Sequence, residues 1–73
     1  MFRWTPERME QLEHAVRQHR RVALRRRGND YVVVASALTQ SRGRDALAGH
    51  LAMTGDELLF VLDDLDHFQV IDS

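Results

Sequence analysis

Arginine is the residue type with the clearest chemical potential in this chain, and five arginines fall within RRVALRRRGND at positions 20–30. A guanidinium has a permanent charge and several N–H donors, so clustered arginines can bind phosphate or carboxylate groups. If neighbouring β-hairpins bring them together, Arg21, Arg25, Arg42 and Arg44 form a basic stripe. Such a stripe predicts ligand or nucleic-acid binding, with aromatic rings stacking on bases. The alternative interpretation is a set of solvated arginines or protein contacts.

Acidic and histidine side chains offer a possible metal site, but their spacing argues against one. The segment DDLDH at 63–67 lacks the glycine-centred turn on which hard-cation loops depend, so we interpret it as a solvated turn. His14 and His19 would lie about 140° apart on a helix and therefore cannot share a zinc ion. We predict neither a metal site nor a cofactor.

Nucleophilic side chains also lack the neighbours that catalysis needs. The hydroxyls of Ser36, Thr39 and Ser41 have no adjacent base with a third group to orient it. A chain of 73 residues has little volume for a substrate pocket. We therefore predict no catalytic residues and a protein that is not an enzyme.

The composition predicts one small domain, residues 1–73, in the cytoplasm. Cysteine is absent, so neither disulfides nor thiolate metal sites brace the core. No apolar run is long enough for a signal peptide or a membrane span. A chain this short has a thin core and often depends on a partner or on copies of itself.

The charges are divided unevenly along the chain. Residues 1–44 hold all ten arginines against four acids, which gives 10 − 4 = +6, and residues 45–73 hold seven acids and no arginine, which gives −7. The halves can pair within one chain, or the basic half of one subunit can face the acidic half of another. We expect a homo-oligomer, a dimer rather than a ring, or a protein partner. Nucleic acid remains a possible partner for the basic half, and no membrane is involved.

The first element predicted by the sequence is a helix over about residues 5–19. Thr5 is a candidate N-cap, and Pro6 suits the first helical position. Met9, Leu12 and Val16 then mark one apolar helical face.

A β-hairpin should follow the helix, because the apolar period changes from 3.6 to 2 near Arg20. Strands are expected at 21–26 and 31–35, with Gly28 and Asn29 forming a two-residue primed turn. The expected register pairs Arg27 with Asp30, Arg26 with Tyr31, Leu24 with Val33 and Val22 with Ala35.

The rest of the chain predicts further short strands separated by tight turns. ELLFVL is apolar on both faces, which favours a central strand buried on both sides. One N-terminal α-helix and five to six short antiparallel strands favour a mainly β fold, a small curled barrel. The remaining strands are expected at about 37–41, 45–50, 57–62 and 67–72.

Three segments in this order and spacing resemble the WYL domain: RRVALRRRGNDYVVV, GRDALAGH and ELLFVLDDLDHFQVID. The similarity covers roughly residues 10 to 72. Gly43 and Arg44 match the Gly-Arg that typically precedes the family's Trp-Tyr-Leu stretch, although Asp45 and Ala46 replace its Trp and Tyr. The resemblance implies an Sm-like small β-barrel behind a helix.

WYL domains commonly occur in bacterial transcription regulators and defence systems, so the resemblance also implies a function. We expect a non-catalytic interaction or ligand-sensing module that is regulatory and self-associating. The alternative is a nucleic-acid-binding small barrel that uses the arginine stripe.

Overall fold

In the computed structural model, which describes residues 2–71, one helix precedes a single antiparallel sheet of five strands. The predicted mainly β fold with an N-terminal helix is confirmed. Residue 72, the predicted end of the last strand, lies outside the described range. The elements are α1 (Pro6–Arg17), β1 (Arg21–Arg26), β2 (Asn29–Ser41), β3 (Arg44–Leu51), β4 (Glu57–Val61), the 3₁₀ turn η1 (Leu62–Asp64) and β5 (Leu65–Ile71).

The helix begins where the sequence predicts. The Thr5 hydroxyl accepts a hydrogen bond from the backbone N–H of Arg8 at 3.2 Å, which satisfies one free donor of the first turn. The helix ends at Arg17 rather than near residue 19, because His19 adopts the left-handed conformation with a φ of 51°. This reversal turns the chain directly into β1.

The first hairpin turns one residue earlier than predicted. Arg27 and Gly28 occupy the two turn positions with φ values of 53° and 79°, so Leu24 lies opposite Tyr31 rather than Val33. Each partner is displaced by two residues, which is a full period of the strand, so the same side chains still point inward. The predicted inner face is therefore correct although the register is wrong. That face consists of Val22, Leu24, Val33 and Ala35, all buried.

The two predicted strands at 31–35 and 37–41 are one continuous strand, β2. A register shift between Ala35 and Ala37 marks a bulge at Ser36, where the strand bends without ending. Gly49 pairs with Ala35 beside this bulge, and a Cβ at Gly49 would lie 2.7 Å from the Val34 carbonyl oxygen. The bulge thus depends on a residue without a side chain, and the sheet has five strands rather than six.

The sheet is not closed into a barrel, which corrects the expectation of closure. Its order is β4-β3-β2-β1-β5, and every neighbouring pair is antiparallel. The two end strands, β4 and β5, therefore run in the same direction. Consecutive strands can pair in parallel only when a connection of about a dozen residues joins them. Only η1 joins β4 to β5. Within residues 2–71, both end strands consequently keep an open edge.

The position of β4 corrects a second expectation. The predicted central strand lies at the end of the sheet, with β3 as its sole neighbour. Phe60 on its inner face is completely buried, whereas Leu59 on its outer face is 45% exposed. The buried side chains on the inner face pack with Leu12 and Ala15 of α1 in one core.

Candidate interaction site

The structure spreads the four arginines of the predicted stripe along β2, with Arg21 opposite Val34 near its middle. Arg25 lies opposite Asp30 at the start of β2, and Arg44 lies opposite Ser41 at its end. Asp30 and Ser41 are eleven positions apart along β2. The two hairpins, predicted as separate pairs of strands, share β2, and their tips lie at its opposite ends. Arg21 and Arg25 therefore lie apart from Arg42 and Arg44.

Two of these four arginines, Arg25 and Arg44, each lie beside an acidic side chain. The Nε of Arg25 lies 2.9 Å from the Oδ1 of Asp30, and the Nη2 of Arg44 lies 3.4 Å from the Oδ2 of Asp63. Exposed ion pairs of this kind contribute about 0–1 kcal/mol to stability. Their larger effect here is to lower the local positive charge that a phosphate backbone would need.

Arg21 belongs to a different basic group from the one predicted. It lines a shallow concavity of about 500 Å³ together with Gln18, His19, Arg20 and Val34, where α1 turns into β1. The sequence placed His19 on the helix and did not connect it with Arg21. The reversal at His19, which no local pattern indicated, brings these side chains together.

The aromatic rings form interior contacts rather than a stacking platform. Trp4 lies 5.1 Å from Phe68 between ring centroids, and its indole N–H donates to the Leu62 carbonyl at 2.7 Å. Tyr31 lies 5.3 Å from Phe60 in an edge-to-face arrangement. Within residues 2–71, this arrangement offers little for unstacked bases.

Two other concave regions are shallow. A cleft of about 560 Å³ lies between α1 and β5, lined by His14, Arg20 and Phe68 among others. A more apolar one of about 400 Å³ contains Val32 and Met53, and Met53 is 97% exposed. Over the described part of the chain, no group of three or more His, Cys, Asp or Glu residues could hold a metal ion.

The outer edge of β4 carries backbone groups that no strand within residues 2–71 pairs. The N–H of Leu51 donates to the Asp56 carbonyl at 2.8 Å, which sets the alternation of the β3–β4 ladder. Even-numbered residues of β4 therefore bond to β3. The N–H and C=O groups of Glu57, Leu59 and Val61 point to the open edge.

Arg26 is the cationic side chain that reaches this edge. Its guanidinium lies over Tyr31 and Phe60, at 5.3 Å and 4.7 Å from the ring centroids. Its Nη1 donates to the Leu59 carbonyl at 3.4 Å. Tyr31 and Phe60 lie on the inner face of the sheet, so Arg26 approaches the edge from that face. The outer side of the edge therefore stays open to another strand, and the Leu59 carbonyl oxygen keeps a second lone pair.

Acidic side chains lie at both ends of β4. Asp56 and Glu57 are exposed where the strand begins, and Asp63 and Asp64 follow it in η1. This site was not predicted from the sequence, because a strand that is apolar on both faces favours a central position. The acids on either side of ELLFVL were the available signal for an exposed edge.

No known protein family, curated protein or solved structure matches this chain. Among residues 2–71, no helix combines the length and apolar character needed to cross a membrane.

Proposed function

We propose that this chain is a non-catalytic, WYL-like interaction module with a regulatory role in the cytoplasm, acting by binding other polypeptides. The observation that carries the proposal is the open sheet, in which β4 presents backbone groups that no described strand pairs, beside the half-exposed Leu59. Unprotected edges of this kind add strands from other chains. The sequence resemblance to the WYL domain supports the regulatory role and the Sm-like relationship.

Self-association is one form that this binding takes. The first 44 residues have a formal charge of +6 and the last 29 a charge of −7, so copies of the chain can attract one another. A dimer is the commonest closed assembly. The same charge division favours contacts that weaken as salt rises.

Nucleic-acid binding is the competing function, and the geometry gives it less support. A strand of nucleic acid needs a continuous basic track with accessible rings, whereas Arg25 and Arg44 each lie beside an acid at opposite ends of β2. The net charge of −1 also removes long-range attraction to phosphate.

Light scattering behind size exclusion, at low and high salt, tests the proposal. We expect a mass above the 8.5 kDa of one chain at low salt and a lower mass at high salt. A parallel titration uses labelled single-stranded and duplex oligonucleotides. A constant monomer mass, with salt-sensitive oligonucleotide binding that fails in the Arg21→Ala/Arg25→Ala double variant, would replace the proposal with the competing function.

A further inference from the structure

We propose that the open edge of β4 binds an extended segment of a different protein, one with an apolar centre and basic residues at both ends. This inference rests on the proposed interaction function and names the edge and the chemistry of its partner. The edge is the segment Glu57–Val61, and its acidic ends are Asp56 and Glu57 on one side and Asp63 and Asp64 on the other. Asp63 also lies 3.4 Å from Arg44 in an exposed ion pair, which a basic residue of the partner would have to displace.

The backbone of the edge supplies the pairing surface. Glu57, Leu59 and Val61 direct their N–H and C=O groups away from β3, so an added strand can pair with these three residues. At Leu59 the added strand would share the carbonyl oxygen with Arg26 or displace its 3.4 Å hydrogen bond. The side chains of these three residues share the outer face of the sheet. There Leu59 lies beside Ala48, which leaves an apolar surface for alternate side chains of the partner.

The charges at the ends determine what kind of strand fits. A segment that spans β4 from Glu57 to Asp63 covers at most about 20 Å at 3.3 Å per residue. Basic residues about six positions apart would therefore meet both acidic ends. Because both ends are acidic, the partner can run in either direction.

A second copy of the chain fits this edge poorly. Antiparallel pairing of two β4 strands about Leu59 would place Asp56 of each copy near the η1 acids of the other, and like charges repel. The most basic strand of the chain is β1, which is already paired on both sides by β2 and β5. The other end strand, β5, also has an open edge, but it contains Asp66 and no arginine and directly follows the acidic η1, so it does not offer basic residues at both ends. A strand with two basic ends therefore comes from another protein.

Labelled synthetic peptides test this assignment by fluorescence anisotropy. The probe is the nine-residue peptide KKTVTVTKK, and its matched control EETVTVTEE keeps the centre and reverses the ends. A third peptide has the sequence of the probe with N-methylated valines, which removes backbone donors and keeps every charge.

We expect the Lys peptide to bind about tenfold more tightly than the Glu peptide, because several weak exposed ion pairs act together. Binding should weaken at about 1 M salt, where the Debye length is about 3 Å. The N-methylated peptide should lose most of the affinity, since it cannot complete the ladder.

Variants of the protein separate backbone pairing from charge. Leu59→Pro removes an edge-facing N–H without removing a bond to β3, and proline is tolerated on such an edge. Leu59→Thr is its control. The Asp56→Lys/Glu57→Lys pair should abolish preference for the Lys peptide. Glu10→Lys/Glu13→Lys makes the same change in net charge at exposed positions of α1 and should preserve that preference. Circular dichroism verifies that each variant folds.

Three results would overturn the inference: absence of binding by the Lys peptide, equal binding by the N-methylated peptide, or unchanged affinity in a folded Leu59→Pro variant. A dimer that dissociates in the Asp56→Lys/Glu57→Lys variant would make a second copy the occupant. If no peptide binds while light scattering detects self-association, the proposed interaction function stands and only this assignment fails.

Discussion

Strands β1 and β4 occupy positions opposite to those that their compositions suggest. β1 contains three arginines in six residues and lies within the sheet between β2 and β5. β4 contains four apolar residues in five and lies at the edge. Hydrophobicity therefore did not determine which strand became central.

The difference follows from a sheet with one covered face. A central strand needs apolar side chains only on the inner face, so Arg21 and Arg25 can point outward from β1 while Val22 and Leu24 are buried. Strand order depends on turns and connections instead. Tight turns place β1 beside β2 and β3 beside β4, and the short η1 leads into β5 on the far side.

Phe60→Ala should have the largest effect on stability. Its comparison with Leu59→Ala tests how differently the two faces of the edge strand are buried. Phe60 is completely buried, and such truncations cost about 3–5 kcal/mol, which approaches the whole stability of a domain this short. Leu59→Ala, on the exposed face, should cost less than about 1 kcal/mol. Urea denaturation measures both, and equal losses would mean that the outer face of β4 is also covered.

Gly49→Ala should have the next largest effect, since it tests the bend that carries β3 and β4 away from β1. The new Cβ would lie 2.7 Å from the Val34 carbonyl oxygen, a backbone atom that cannot move alone. We expect a loss of about 1–3 kcal/mol, as for other overpacked sites. Ala48→Ser, a small change at the neighbouring position, is the control. A melting temperature for Gly49→Ala that matches the control would contradict the close approach.

Turn substitutions should distinguish the central strand from the edge strand. Gly28 and Gly55 have φ values of 79° and 80°, so valine at either costs about 1–2 kcal/mol. β5 still pairs with β1 in the Gly28→Val variant, whereas β4 in the Gly55→Val variant has no second neighbour in the sheet. Amide exchange should therefore accelerate more in β4. Equal acceleration in both strands would argue that β4 is paired on both sides.

Alanine substitutions at the neighbouring arginines Arg25 and Arg26 of β1 should cause the smallest losses of stability, and the two losses should differ. Arg26→Ala removes contacts with two rings and should cost about 1 kcal/mol, because a cation over an aromatic face is worth about 0.5–1 kcal/mol at a partly exposed site. Arg25→Ala removes an exposed pair with Asp30 and should cost less than about 0.5 kcal/mol. Thermal melts in parallel compare the two. A larger loss for Arg25→Ala would reverse the assignment of faces.

Much of the local structure was predictable. Thr5 and Pro6 located the start of the helix, and the change of apolar period located β1 with the observed bounds. The alternation within Val22–Leu24 and Val33–Ala35 identified the inner face correctly even though the turn was misplaced by one residue. These features depend on neighbours within a few positions, which the sequence states directly.

The candidate site was predicted less well, because its parts come from distant positions. The prediction of one basic stripe assumed that the two hairpin tips lie together. The stripe consisted of Arg21, Arg25, Arg42 and Arg44. The continuous 13-residue β2 separates them, and the bulge at Ser36 that keeps it continuous has no strong sequence signal.

The sequence by itself determined the helix start, the alternating faces and the separation of basic from acidic halves, since all three follow from residue type and short-range spacing. The tertiary structure alone decided that the sheet stays open and that β4 is an edge. Five antiparallel strands leave their end strands running in the same direction, and a three-residue connection cannot pair them. The exposed edge therefore follows from strand number and connection length rather than from any residue of β4.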